Sequence, residues 1–126
     1  MPIITKVDHE KQLTIHTATG APSFEEGMEA FKSFYEKHPT KNLLWDLRSA
    51  SLHNLSYRDM EFLVDYAKQH SEVRVAEGKT AIIVSKDLEY GISRMAQTLT
   101  EIKNFPFKVE IFRSIEIAIQ WFDKDE

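Results

Sequence analysis

The run Thr80-Ala81-Ile82-Ile83-Val84 constrains this chain more than any other segment. After Thr80 every position is apolar, and most are β-branched, so no face of a strand here is left for water. Such a strand needs cover on both sides, which parallel sheets flanked by helices supply. Gly78-Lys79 introduces the run. A helical pattern follows, in which Leu88, Ile92, Met95, Ala96, Leu99 and Ile102 recur near the 3.6-residue period and predict the inner face of a helix. Asp87 is placed to cap it, and Asn104-Phe105-Pro106 ends it.

The same alternation of strand and helix runs through the chain. Leu43-Leu44-Trp45-Asp46-Leu47 reads as a second short, buried strand, followed by a loop from Arg48 to Leu55. Ser56 is an N-cap with Asp59 set to reach back to it, and Met60, Leu63, Val64 and Ala67 form that helix's inner face. Lys108-Val109-Glu110-Ile111-Phe112 alternates more, as a strand nearer an edge does. Ser114 then caps a last helix through Ile115, Ala118, Ile119 and Phe122, whose apolar surface Ile117 and Trp121 widen; an acidic tail over Asp123-Lys124-Asp125-Glu126 frays.

At the start, Ile3–Val7 and Leu13–Thr17 flank a polar connection of hairpin length, which predicts an antiparallel pair at a sheet edge. Gly20-Ala21-Pro22 breaks the second strand. Ser23 and Glu26 make a capping box for a helix carrying Phe24, Met28, Phe31, Phe34 and Tyr35, stopped by Pro39 after His38. The predicted order is ββαβαβαβα: one α/β domain over residues 1–126, with a mixed, mostly parallel five-stranded sheet, right-handed crossovers and four helices.

Several function classes are disfavoured at this level. Sixteen basic and 20 acidic side chains give a net charge of -4 with no Lys/Arg cluster, so no nucleic acid is expected as a partner. The absence of cysteine removes disulfides, thiolate nucleophiles and cysteine-ligated metals. No run approaches the roughly 20 apolar residues of a membrane span, and no signal peptide is visible, so the expected location is cytoplasmic. His9, His16, His38, His53 and His70 are scattered without metal-ligand spacing, and no nucleophile elbow, dinucleotide or P-loop motif occurs. Catalytic residues, metal and cofactor are therefore all expected to be none, and the chain is read as no enzyme.

Three segments carry a resemblance. Leu43-Leu44-Trp45-Asp46-Leu47-Arg48 is a strand ending in Asp-Leu-Arg, Tyr90-Gly91-Ile92-Ser93-Arg94-Met95 is a Tyr-Gly-x-x-Arg-Met segment, and Ile111 to Phe122 is a strand plus a terminal Ala-x-x-Trp helix. Together with the element order they make the chain resemble the STAS domain, in its SpoIIAA-like branch of small, largely uncharacterised bacterial proteins, grouped by some with lipid-binding SEC14-type domains. The resemblance covers most of the chain from Leu43 onward and implies the SpoIIAA-like fold. In anti-sigma-factor antagonists of that fold, a serine at the start of the second helix is phosphorylated in an Asp-Ser-Ser-Gly motif. Ser56 stands near that position, but Asn54-Leu55-Ser56-Tyr57 lacks the motif's acid and glycine.

Ser56 is thus a candidate phosphorylation site or a helix cap. Ligands in open α/β sheets favour the carboxyl ends of the parallel strands, an edge that gathers Asp46, Arg48, Ser51, His53 and Asn54 from one loop, Ser85, Lys86 and Asp87 from the next, and Arg113 with Ser114 from the last. Tyr90, Arg94 and Gln97 lie off the expected inner face of the third helix, with Tyr90 and Arg94 spaced to stack, and Gly91 implies close approach by a neighbour. Asp46, Arg48, His53, Asn54, Ser85, Tyr90, Arg94 and Trp121 are the candidate ligand or partner surface. The leading expectation is a non-enzymatic regulatory or protein-interaction module, binding a protein partner or forming a homodimer. The alternative is a carrier or sensor for a small apolar or amphipathic, lipid-like ligand held between helices and sheet.

Overall fold

The computed structural model describes residues 3–37 and 39–124. Its elements are β1 (Ile3–Asp8), β2 (Leu13–Gly20), α1 (Phe24–Lys37), β3 (Asn42–Ala50), α2 (Tyr57–Gln69), a 3-10 turn at Ser71–Val73, β4 (Lys79–Ile83), α3 (Asp87–Ile102), β5 (Lys108–Phe112) and α4 (Ile115–Phe122). The ββαβαβαβα order expected from sequence is the observed one. The expected helix stop at His38 and the end of the acidic tail, Asp125 and Glu126, lie outside the described residues.

The sheet order is β1-β2-β3-β4-β5. β1 pairs antiparallel with β2 through Ile3↔Ala18 to Asp8↔Leu13, and every other pair is parallel. Each crossover steps to the next strand in one direction, so crossovers of a single hand lay their helices on one face. α1 packs beside α2, and α2 beside α3, on that face, while α4 covers β4 and β5 from the other. Strand periodicity divides the core between the two faces. Leu44 joins Leu13, Ala81 and Ile83 under Ala118 and Trp121 of α4, whereas its neighbours Leu43 and Trp45 face Phe34, Tyr35 and Ala67 of α1 and α2.

Helix ends follow the sequence closely. Ser23 Oγ accepts from the Glu26 N–H at 3.2 Å and the Glu26 carboxylate from the Ser23 N–H at 2.8 Å. Ser56 and Asp59 repeat the exchange at 3.0 Å in both directions, a full capping box at the start of α2. α3 ends in a Schellman motif: Asn104 takes a left-handed φ of 57°, and the Phe105 N–H returns to the Thr100 carbonyl at 2.8 Å. One cap differs. Asp87 is the first residue of α3 rather than its cap, because its carboxylate is held by Arg113 at 2.9 Å, and Lys86 stands at the N-cap without a side-chain bond.

Two buried cations lock the amino end of the sheet. Lys79 Nζ donates to the Trp121 and Lys124 carbonyls, both at 2.6 Å, satisfying the open carboxyl end of α4 while lying 5.0 Å over the Trp121 ring. The Arg74 guanidinium sits between the Phe34 and Phe107 rings at 5.3 and 4.4 Å, and donates to Thr80 Oγ1 and to the Lys41 and Lys79 carbonyls. Burial holds its pKa below the usual arginine value. The backbone runs so close here that a Cβ on Gly78 would collide with the Lys41 carbonyl oxygen.

Candidate functional site

The residues singled out from sequence fall into separate groups. Asp46 and Arg48 lie within β3, which continues to Ala50, and not in the loop expected from Arg48 onward. Parallel pairing of Thr19 with Ser49 and Gly20 with Ala50 carries the strand past the apolar run. Two apart on one strand, the side chains share a face, and Arg48 grips Asp46 through Nε at 2.9 Å and Nη2 at 2.8 Å. Those bonds lower the Asp46 carboxyl and raise the Arg48 guanidinium from their ordinary pKa values. Ser85 Oγ donates to the Arg48 carbonyl at 3.0 Å.

Arg113 extends this network. It donates to the Ser85 carbonyl at 3.1 Å and lies 4.8 Å over the Tyr90 ring. Tyr90 therefore stacks with Arg113 and not with Arg94, which bonds Gln97 Oε1 at 2.9 Å. His53 pairs with Ser51 at 2.7 Å, and Asn54 donates to the Ala21 carbonyl at 3.2 Å, both in the exposed β3–α2 connection. The structure thus places Ser85 and Tyr90 against Arg113, joins Arg48 and Asp46 to them through the Ser85–Arg48 carbonyl bond, and leaves His53, Asn54 and Arg94 apart. Each of their polar groups named above is engaged with a neighbour or with backbone. Ser56 is exposed at the cap of α2. Trp121 is not on the surface: it is 9% exposed, packed on the Phe112 ring at 5.4 Å and capped by Lys79. Among the described residues no cluster of His, Asp and Glu has the makings of a metal site.

α3 departs most from expectation. Leu88, Met95 and Ile102, expected inside, are 61%, 43% and 68% exposed. The buried row is instead Glu89, Ser93 and Gln97 with Leu99. The helix is turned because its polar side chains find backbone partners in the interior. Glu89 Oε2 accepts from the Leu52 N–H at 3.1 Å, and Gln97 Nε2 donates to the Val109 carbonyl at 2.6 Å. Gly91 falls on the exposed side, where a Cβ would meet nothing within 4 Å, so the expected close approach within the chain is absent.

That rotation leaves an apolar cavity between the sheet and α1, α2 and α3. It measures about 130 Å³, and its walls include Phe31, Trp45, Leu52, Leu63, Ile82 and Ser93. Pro22 and Ser23 after β2, and Leu52 and Leu55 after β3, place one end of it at the carboxyl ends of the parallel strands, where open α/β sheets take ligands. A second cavity of about 90 Å³ continues along the sheet and shares Phe31, Trp45, Ile82 and Ala96 with the first. Among the described residues no charged side chain lines either one. Sequence reading missed Ser93 and Glu89, and although its alternative placed an apolar ligand between helices and sheet, none of its candidate surface residues lines this cavity. The signal for the buried row was the i, i+4 spacing of Glu89, Ser93 and Gln97, a helical stripe as regular as the apolar one beside it.

A buried histidine stands outside the cavity walls. His16 on β2 is held by Thr5 Oγ1 at 2.8 Å and lies 4.4 Å from the Trp45 ring. Burial lowers its pKa to about 4.

The architecture is similar to the crystal structure of an uncharacterised protein of the DUF3478 family, with a SpoIIAA-like fold, from Shewanella loihica PV-4. The TM-score is 0.58 at 18% identity, over 95% of this chain and 91% of that one. The likeness establishes a SpoIIAA-like α/β fold for this chain. No protein-family model matches the sequence, and no curated protein matches it. Among the described residues no helix is long and apolar enough to cross a membrane.

Proposed function

We propose that this chain is a non-enzymatic binding protein, a carrier or sensor, for a small apolar or amphipathic molecule held between the sheet and α1, α2 and α3. The observation that carries this reading is the charge-free cavity of about 130 Å³ at the ligand-favoured end of the sheet. An apolar cavity of roughly 150 Å³ stays dry and takes up benzene, and this one, at about 130 Å³ with a further 90 Å³ adjoining, is of comparable size. The polar groups at the carboxyl edge support a binding rather than a catalytic role, because Asp46 is committed to Arg48 and Asp87 to Arg113. Native mass spectrometry of freshly purified protein is the test. A copurifying small molecule, lost on harsher activation, is expected; bare protein under gentle desolvation, together with no uptake of added ethylbenzene, contradicts the reading.

A second reading, a regulatory module that docks a protein, has its own observation. Leu88, Gly91, Met95, Thr98 and Ile102 form one exposed stripe on α3 with no charge in it. An uncharged stripe is compatible with itself across a two-fold axis, so the occupant this reading assigns is a second copy of the chain. One helix pair buries less than a standard interface, and the dimer is expected to be weak. Light scattering across a concentration series checks it: a mass that stays monomeric at the highest concentration removes this reading.

A further inference from the structure

Ser93 is 3% exposed on α3 and lines the cavity, and its hydroxyl has no hydrogen-bond partner among the described residues. Other hydroxyls of the same helix do not behave this way. Thr98 Oγ1 donates to the Arg94 carbonyl at 3.0 Å and Thr100 Oγ1 to the Gln97 carbonyl at 2.6 Å, the usual recourse of a hydroxyl inside a helix. Ser93 makes no such bond, although a buried polar group without a partner is destabilising. An alanine there would remove the penalty and suit the helix better. The hydroxyl is thus an unmatched donor and acceptor set in the wall of an otherwise apolar chamber.

The surroundings limit what can match it. Among the described residues no cation lines the cavity, so a bound carboxylate or phosphate would be a buried, unpaired charge. Glu89 stands one helical turn before Ser93, is 2% exposed, and directs its carboxyl group to the Leu52 N–H on the cavity wall. Beyond Ser93 the walls are Phe31, Trp45, Ile82 and Ala96, which continue into the smaller cavity and suit a ring or a short hydrocarbon chain.

We propose that the cavity selects an uncharged molecule with one hydrogen-bonding group, of the small aromatic or medium-chain alcohol class, whose hydroxyl pairs with Ser93 Oγ while its hydrocarbon fills the apolar chamber. This inference rests on the ligand-binding reading above and assigns the ligand's chemistry. Ser93 is then the specificity-determining residue, and the lack of a cation among the described lining residues disfavours anions.

The test compares three probes of nearly equal shape, ethylbenzene, benzyl alcohol and benzoate, by amide chemical-shift titration of the full chain. Wild type and the variants Ser93→Ala and Ser93→Thr are titrated in parallel. Ser93→Ala is expected to weaken benzyl alcohol on the order of tenfold, the worth of one buried hydrogen bond, while ethylbenzene binds unchanged or tighter. Ser93→Thr, which keeps a hydroxyl, retains the alcohol, and benzoate leaves the cavity amides unmoved in every protein. If Ser93→Ala changes alcohol and hydrocarbon alike, or benzoate binds as well as the alcohol, the inference is overturned and the ligand-binding reading survives. If ethylbenzene itself moves no cavity amide, both fall.

Discussion

The Glu89 carboxyl group, on the first turn of α3, accepts a hydrogen bond from the Leu52 backbone N–H at 3.1 Å and so joins α3 to the β3–α2 connection. Leu52 and Ser93 both line the larger cavity, and this bond ties the β3–α2 connection to the helix that carries Ser93. Removing the acceptor leaves a buried N–H unpaired, a loss of about 1–3 kcal/mol. Glu89→Ala is expected to lower stability by that amount in urea unfolding, and Glu89→Gln, which keeps an acceptor oxygen, by less. Equal losses would show that packing rather than the hydrogen bond holds this corner.

The cap of α2 makes a second prediction. Ser56 Oγ accepts from the Asp59 N–H at 3.0 Å, so Ser56→Ala is expected to destabilise by about 1 kcal/mol, and Ser56→Asp, itself a good cap, by much less. Thermal unfolding of the two variants checks this. The same pair tests the phosphorylation expectation, since Ser56→Asp would alter self-association only if this position is a switch.

His16 sets a pH dependence. Its imidazole is buried and neutral in the folded chain, with a pKa of about 4 against 6.5 when unfolded. Between those values the unfolded chain binds the extra proton, so stability rises with pH and is lost as pH falls from about 6.5 toward 4. The shift corresponds to about 3 kcal/mol over the whole window. Urea midpoints of wild type and His16→Gln, measured from about pH 7 to pH 4, should diverge from one another only below about 6.5. Parallel curves would contradict the assignment.

Two glycines should respond in opposite directions. At Gly78 a Cβ would strike the Lys41 carbonyl, so Gly78→Ala is expected to destabilise by about 1–3 kcal/mol. At Gly91 the space is open and the residue is in a helix, so Gly91→Ala is expected to stabilise the monomer by about 0.5–1 kcal/mol. Calorimetric melting of both variants measures the contrast, and a destabilised Gly91→Ala would mean that something covers this face.

The sequence was most legible where a local rule decides the outcome. Ser23 with Glu26 and Ser56 with Asp59 specify their caps within four residues, and Thr80–Val84 needs two covered faces wherever it sits. It was least legible where distant groups decide. Leu88, Met95 and Ile102 form as good a stripe as Glu89, Ser93 and Gln97, and only the Leu52 N–H and Val109 carbonyl, supplied by other elements, turn the polar stripe inward. Trp121 likewise gives no sign in its own helix of the Lys79 ammonium that closes over it. The cavity draws its walls from positions as far apart as Ile3 and Ala96, which no spacing rule links.

The two tryptophans offer the most direct test of the ligand-binding reading. Trp45 lines both cavities, while Trp121 belongs to α4 and packs on the far face of the sheet. In Trp121→Phe, Trp45 is the sole indole and reports on the cavity alone. Titration of that variant with ethylbenzene is predicted to shift or quench its emission along a saturable curve, with one site per chain. Emission that stays constant to the solubility limit of the probe, in a variant that melts as wild type does, would contradict the account.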